Sequence, residues 1–179
     1  MIDNFFHPLI RLDIGPLEYF SVLGRALFTA QHFETNCRAL AGFLNMRIES
    51  GTKGLCVLDT PEFRDKIDKL WKQTLGCDIH YLKKNFEFPN EIAKILDDAR
   101  DARNEIAHWA TVGIGDDLDS EVDMRVDEIR ARVDKIAAAD KYIAALIHAA
   151  NKDPLPTPQF FLAYDKKVAD WVCEAASDE

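Results

Sequence analysis

The chain has 179 residues, a formal net charge of −9 and 47% apolar residues, which suits one domain with a sizeable core and excludes a disordered chain. Proteins that coat nucleic acid non-specifically are basic as a rule, so this acidic balance, weighted to the second half of the sequence, argues against a DNA-coating role while leaving room for a small basic site that acts on RNA. No apolar run approaches the ~18–20 residues of a membrane span, and the opening MIDNFFHPLIRLDIG lacks the basic start of a signal peptide, so a cytoplasmic protein with no membrane or DNA partner is expected.

Residues 14–50 read as one long helix, with Asp13 as a cap and Pro16 in the first turn. Phe20, Leu23, Leu27, Ala30, Cys37, Ala41, Leu44 and Ile48 repeat at a spacing of three to four, and Phe33, Leu40 and Phe43 add a second apolar flank. Gly51 and Gly54 are expected to end it. Thr60-Pro61-Glu62 resembles a cap followed by proline at the first helical position, opening a helix through Phe63, Ile67, Leu70, Trp71 and Leu75 that stops at Gly76. The stretch 76–89, with Asp78, Asn85 and Pro89, reads as a loop with a short helical turn. Asn90 can cap a helix over 91–111, whose Ile92, Ile95, Ala99, Ala102, Ile106 and Trp109 hold the core spacing.

GIGDDLDS breaks the chain, and Ser120 with Asp123 three residues on resembles a capping box. Val122, Val126, Ile129, Val133, Ile136, Ile143 and Ile147 then form a stripe to about residue 150, interrupted by Asp140. NKDPLPTP, 151–158, is a stiff linker, and a short amphipathic helix with Val168, Trp171 and Val172 closes the chain. The expected fold is all-α: a four-helix up-and-down bundle over residues 1–150, with the linker and tail helix of 151–179 packed on the same domain.

The four cysteines, Cys37, Cys56, Cys77 and Cys173, form no CxxC pair, so reduced thiols are expected and a zinc site is not. Glu34 with Arg38 at i+4 reads as a local ion pair, Asp140 as a structural carboxylate, and the three tryptophans as core or interface. Glu105-x-x-His108 matches one half of a di-iron site, but a second such pair is missing. No Gly-rich phosphate loop, GxSxG or Cys/His pair occurs, and neither cofactor nor metal is expected.

The chemistry that stands out is Arg103-Asn104-Glu105-Ile106-Ala107-His108. With Ala99 at zero on a helical wheel, Arg103 lies near ~40° at the edge of the core face, Arg100 near ~100°, Asn104 near ~140° and His108 near ~180°. Arg100, Asn104 and His108 thus make a stripe turned away from the core of the monomer.

Arg-Asn-x-x-x-His, with alanine before the histidine, resembles the Arg-x4-6-His motif of HEPN domains, helical bundles that include many metal-independent ribonucleases. The matching positions are Arg103, Asn104 and His108, on the third long helix. The resemblance implies a homodimer in which two motif helices share one cleft, an endoribonuclease activity, and a toxin–antitoxin or phage-defence setting with an antitoxin or other protein partner; it equally allows a catalytically silent module that binds a partner or nucleotide. The implied roles are His108 as the base for the 2′-hydroxyl, Arg103 as stabiliser of phosphorane charge, and Asn104 and Arg100 as substrate-binding groups, with Asn104 alternatively holding the histidine's tautomer. Asp97, Asp98, Asp101 and Glu105 crowd this motif and need pairing with Arg100 or with basic residues elsewhere.

Overall fold

The computed structural model describes residues 17–53, 60–109 and 118–173. Asp13, Pro16, Gly54, Cys56, the chain at 113–117 and the side chains of Trp109, Val122 and Asp123 lie outside the description. All-α architecture is what the described residues adopt, in six helices: α1 (Leu17–Lys53), α2 (Pro61–Trp71), α3 (Leu75–Asn85), α4 (Asn90–Trp109), α5 (Leu118–Asn151) and α6 (Pro158–Cys173).

At 37 residues α1 spans roughly 55 Å, and with α5 it forms the frame. α1 packs against α2, α3, α4, α5 and α6, and α5 against α1, α4 and α6. The α1 helix runs through Gly51 rather than ending there; one glycine costs a helix about 1 kcal/mol and need not break it. Its deepest residues include Phe33 and Leu40, from the second apolar flank, whereas Leu27 and Ile48 are both 40% exposed. A helix clasped on two sides buries the residues between its neighbours, and Leu27 and Ile48 fall outside that sector.

The largest difference from the sequence reading is α3. The stretch read as a loop is an 11-residue helix, capped by the Thr74 hydroxyl accepting from the Cys77 amide. Leu75, Ile79 and Leu82 carry its apolar stripe, and Asp78 stands in the same buried face. Gly76, expected to stop the preceding helix, is the second residue of this one. Two caps also move. The Ala93 amide donates to the Pro89 carbonyl at 3.0 Å, so the α4 ladder begins on Pro89 and Asn90 is already helical. α5 begins at Leu118, so Ser120 is inside the helix rather than its cap.

Leu96, Ala99, Ala102 and Ile106 bury the core face of α4, and Ile129, Val133, Ile136 and Ile143 that of α5. Ala169 and Val172 of α6 join the same cluster. Trp71 and Trp171 do not: they are 52% and 51% exposed. α5 ends with Lys152 at φ 62° and the Asp153 amide donating back to the His148 carbonyl at 2.9 Å, a left-handed cap that turns the chain into the proline-containing connection before α6.

Asp140 joins three helices. Its carboxylate accepts from Asn36 Nδ2 on α1 at 2.9 Å and from the Tyr164 hydroxyl on α6 at 2.5 Å. The side chain is almost fully buried, and a buried charge is tolerable only when hydrogen-bonded in this way. Arg130–Asp170 and Lys141–Asp165, the latter at 2.7 Å, add ion pairs between α5 and α6. Tyr164→Phe is expected to lower stability by about 2 kcal/mol, the cost of removing a hydrogen bond to a buried charge, read as a fall in the urea midpoint.

Candidate functional site

The apolar face of α4 decides where its polar residues point. With Ala99, Ala102 and Ile106 buried, Arg103 emerges over α1, and Asn104 and His108 emerge beyond it as exposed residues. The N-terminal turn of α3 forms the facing wall. Between them lies a cleft of about 510 Å³ onto which Arg100, Arg103, Asn104 and His108 open, together with Glu34 of α1 and the turn Gln73–Gly76. All four sequence-predicted site residues therefore share one cavity of one monomer. The ~140° between Arg103 and His108 on an ideal wheel does not separate them, because the cleft follows the side of α4 around to the α3 turn. A Cβ on Gly76 would stand 3.6 Å from Arg100 Cδ, an ordinary contact that shows how closely the α3 turn approaches α4.

The acidic neighbours are largely paired. Asp97 accepts from Lys83 Nζ at 2.6 Å and stands 3.4 Å from Arg100 Nη1, while Asp101 stands 2.8 Å from Arg100 Nη2. Glu105 meets Arg132 of α5 at 2.6 Å, which commits the glutamate of the half di-iron motif to an ion pair. Asp98 is exposed. Asn104 Oδ1 accepts from Arg103 Nη1 at 3.2 Å, so its carbonyl oxygen is turned to the arginine and its amide remains as the group to offer a ligand.

Arg103 is the end of a longer chain of charges. It pairs with Glu34, whose other oxygen pairs with Arg38 at 2.8 Å, the i, i+4 partner expected from the sequence. Arg38 also donates to the Gln73 carbonyl at 2.8 Å, fastening α1 to the turn before α3. Its Nε stands 3.4 Å from Asp78 Oδ2. Asp78 is fully buried, and both of its oxygens lack a hydrogen-bond partner among the described residues. Burial pushes its carboxyl from the ordinary 3.8 up to about 6, against the downward pull of the Arg38 guanidinium. Cys37, beside these groups on α1, has its thiol pushed up by burial and then by Asp140, Asp78 and Glu34, the opposite of the setting that activates a thiol.

Sequence reasoning did not find Thr74 or Gly76 as parts of this cavity, nor the buried Asp78 behind it. The signal was available in Thr74 as a cap ahead of Leu75, Ile79 and Leu82, with Asp78 on the same face. Compared with family models, curated proteins and solved structures, the chain gives no match.

Two outcomes are expected in denaturant titrations. Arg103→Ala removes a half-buried ion pair and the stem packed beside the core, lowering stability by about 1–2 kcal/mol, whereas exposed His108→Ala stays within ~0.5 kcal/mol. Asp78→Asn is expected to stabilise the protein by about 2 kcal/mol at pH 8, because a carboxyl raised by burial disfavours the folded state whenever it is charged. That penalty is absent below the unfolded value, sets in as pH rises, and is complete above about 6; the unmutated protein therefore loses stability across this window relative to the variant. Asn keeps the shape, and Arg38 retains Glu34 and the Gln73 carbonyl.

Proposed function

We propose that the chain is a metal-independent endoribonuclease of HEPN type, an all-helical bundle with its C-terminal helix packed on α5, and that it works as a cytoplasmic homodimer. The observation that carries this reading is the convergence of Arg103, Asn104 and His108 on one cleft beside the α3 N-terminus. Imidazole can accept a proton near neutral pH, and guanidinium can bond two phosphate oxygens at once. His108 takes the proton of an RNA 2′-hydroxyl. The 2′-oxygen bonds to phosphorus, Arg103 stabilises the added negative charge, and the P–O5′ bond breaks. The products are a 2′,3′-cyclic phosphate and a 5′-hydroxyl, whose proton comes from solvent. Asn104 and Arg100 hold phosphate oxygens. A second subunit docks along the motif helix, and the setting is that of a toxin with its antitoxin or of a phage-defence effector.

A second reading has its own support. Arg103 is already paired with Glu34, and Arg100 with Asp97 and Asp101, as in a bundle that binds a protein partner or nucleotide without cutting.

Labelled RNA incubated with the purified protein separates the two. Cutting should persist in EDTA and leave 2′,3′-cyclic or 3′-phosphate ends, and a single 2′-deoxy substitution should protect its own position alone. His108→Ala should reduce the rate by about 10²–10⁴-fold, the usual worth of general acid–base catalysis. Unchanged cutting of the deoxy position refutes the mechanism. A folded dimer in sedimentation that cuts no RNA moves the assignment to the binding module, and a monomer at micromolar concentration refutes the shared cleft.

A further inference from the structure

Four charges run in line from the core to the cleft: Asp78 on α3, Arg38 and Glu34 on α1, and Arg103 on α4. Two carboxylates and two guanidiniums cancel. The inner end is buried, and Asp78 receives no hydrogen bond among the described residues; the outer end lines the cleft. Each middle member divides itself between two partners, so a change of charge at one end alters what the other end holds.

We propose that Asp78 is a positioning residue for Arg103, and that neutralising Asp78 by a proton releases Arg103 from Glu34 to bind an oxyanion in the cleft. The inference rests on the reading of the cleft as a phosphate site and adds its regulation. With Asp78 charged, Arg38 is drawn to both carboxylates, and Glu34 keeps its hold on Arg103. With Asp78 neutral, Arg38 turns wholly to Glu34, the four-membered chain carries one net positive charge, and an anion near Arg103 takes the place of the missing negative charge.

The surroundings of Asp78 support this direction. From α1 it is faced by Glu34, Cys37 and Arg38. From α4, the Arg100 stem lies against Gly76 two residues before it, with the Arg100 guanidinium tied to Asp97 and Asp101; among the described residues Lys83–Asp97 also joins α3 and α4 charges. Arg38 is thus the cation set against Asp78, and Asp78 opposes burial with little help. Its titration near 6 places the release on the acid side of neutrality, so oxyanion affinity rises as pH falls.

The test uses inorganic sulfate, which stays a dianion from pH 5 to 8, and the full chain carrying His108→Ala, which leaves the cleft without its imidazole. Sulfate affinity is read from the Arg103 side-chain NMR signal. The His108→Ala protein should bind sulfate roughly fivefold tighter at pH 5 than at pH 8, a modest coupling between sites. Adding Asp78→Asn should give the tighter affinity at both pH values. In the His108→Ala protein, whose exposed substitution leaves the fold intact, the Asp78 carboxyl and Arg103 guanidinium signals should shift together with one midpoint, a reading that requires no change at Asp78. Equal affinity of the two proteins at pH 8, an Arg103 signal that stays flat through the Asp78 midpoint, or no sulfate binding by either protein overturns the proposal. Because none of these readouts involves cutting, a protein that passes them yet cleaves no RNA refutes the ribonuclease reading alone.

Discussion

The carboxylate of Glu34 sits where three helices must agree. One oxygen meets Arg38 of its own helix and the other meets Arg103 of α4, while Arg38 reaches the turn before α3 and the buried Asp78. Moving any one of α1, α3 or α4 would break a charged contact at a partly buried point, where such contacts are strong and their loss leaves an uncompensated charge. This constraint aligns the start of α3 with the outer side of α4, and the cleft is the space left between them.

A cleft built this way is electrostatically quiet at rest. The motif arginine is neutralised by Glu34, and Arg100 by Asp97 and Asp101. An oxyanion must therefore compete with resident carboxylates rather than enter an open positive field. That is consistent with the acidic composition, and it makes any affinity for a phosphate depend on which partner each carboxylate prefers.

The middle of α1 carries a second polar cluster a short step away. Asn36 donates to Asp140, which also holds Tyr164 of α6. Glu34 and Arg38 serve the α3–α4 side while Asn36 serves the α5–α6 side, and buried Cys37 lies between them. One and a half turns of a single helix thus tie α1 to α3, α4, α5 and α6, with apolar Phe33, Leu40 and Ala41 supplying the packing that polar contacts alone could not.

Periodicity made α1, α2, α4, α5 and α6 legible, because each repeats apolar residues over enough turns to exclude a strand, and the Thr60–Pro61 cap placed the start of α2; Gly51, Gly76, Asn90 and Ser120 did not mark the helix ends read for them. The Glu34–Arg38 pair and the outward stripe Arg100–Asn104–His108 were legible for the same reason: residues three and four apart on a helix are neighbours whatever else the chain does. α3 was missed because Asp78 interrupts its buried stripe, and a carboxylate in a core face reads as a loop until its partner is known. That partner, Arg38, is distant in sequence and belongs to another helix, as Glu34 does for Arg103. The amino-acid order by itself determined the helices other than α3 and which face of each carries charge, since both follow from local geometry. Tertiary structure alone decided that Arg103 and His108 open onto one cavity and that Asp78 stands behind them, since the packing of α3 between α1 and α4 is set by contacts that no local spacing encodes.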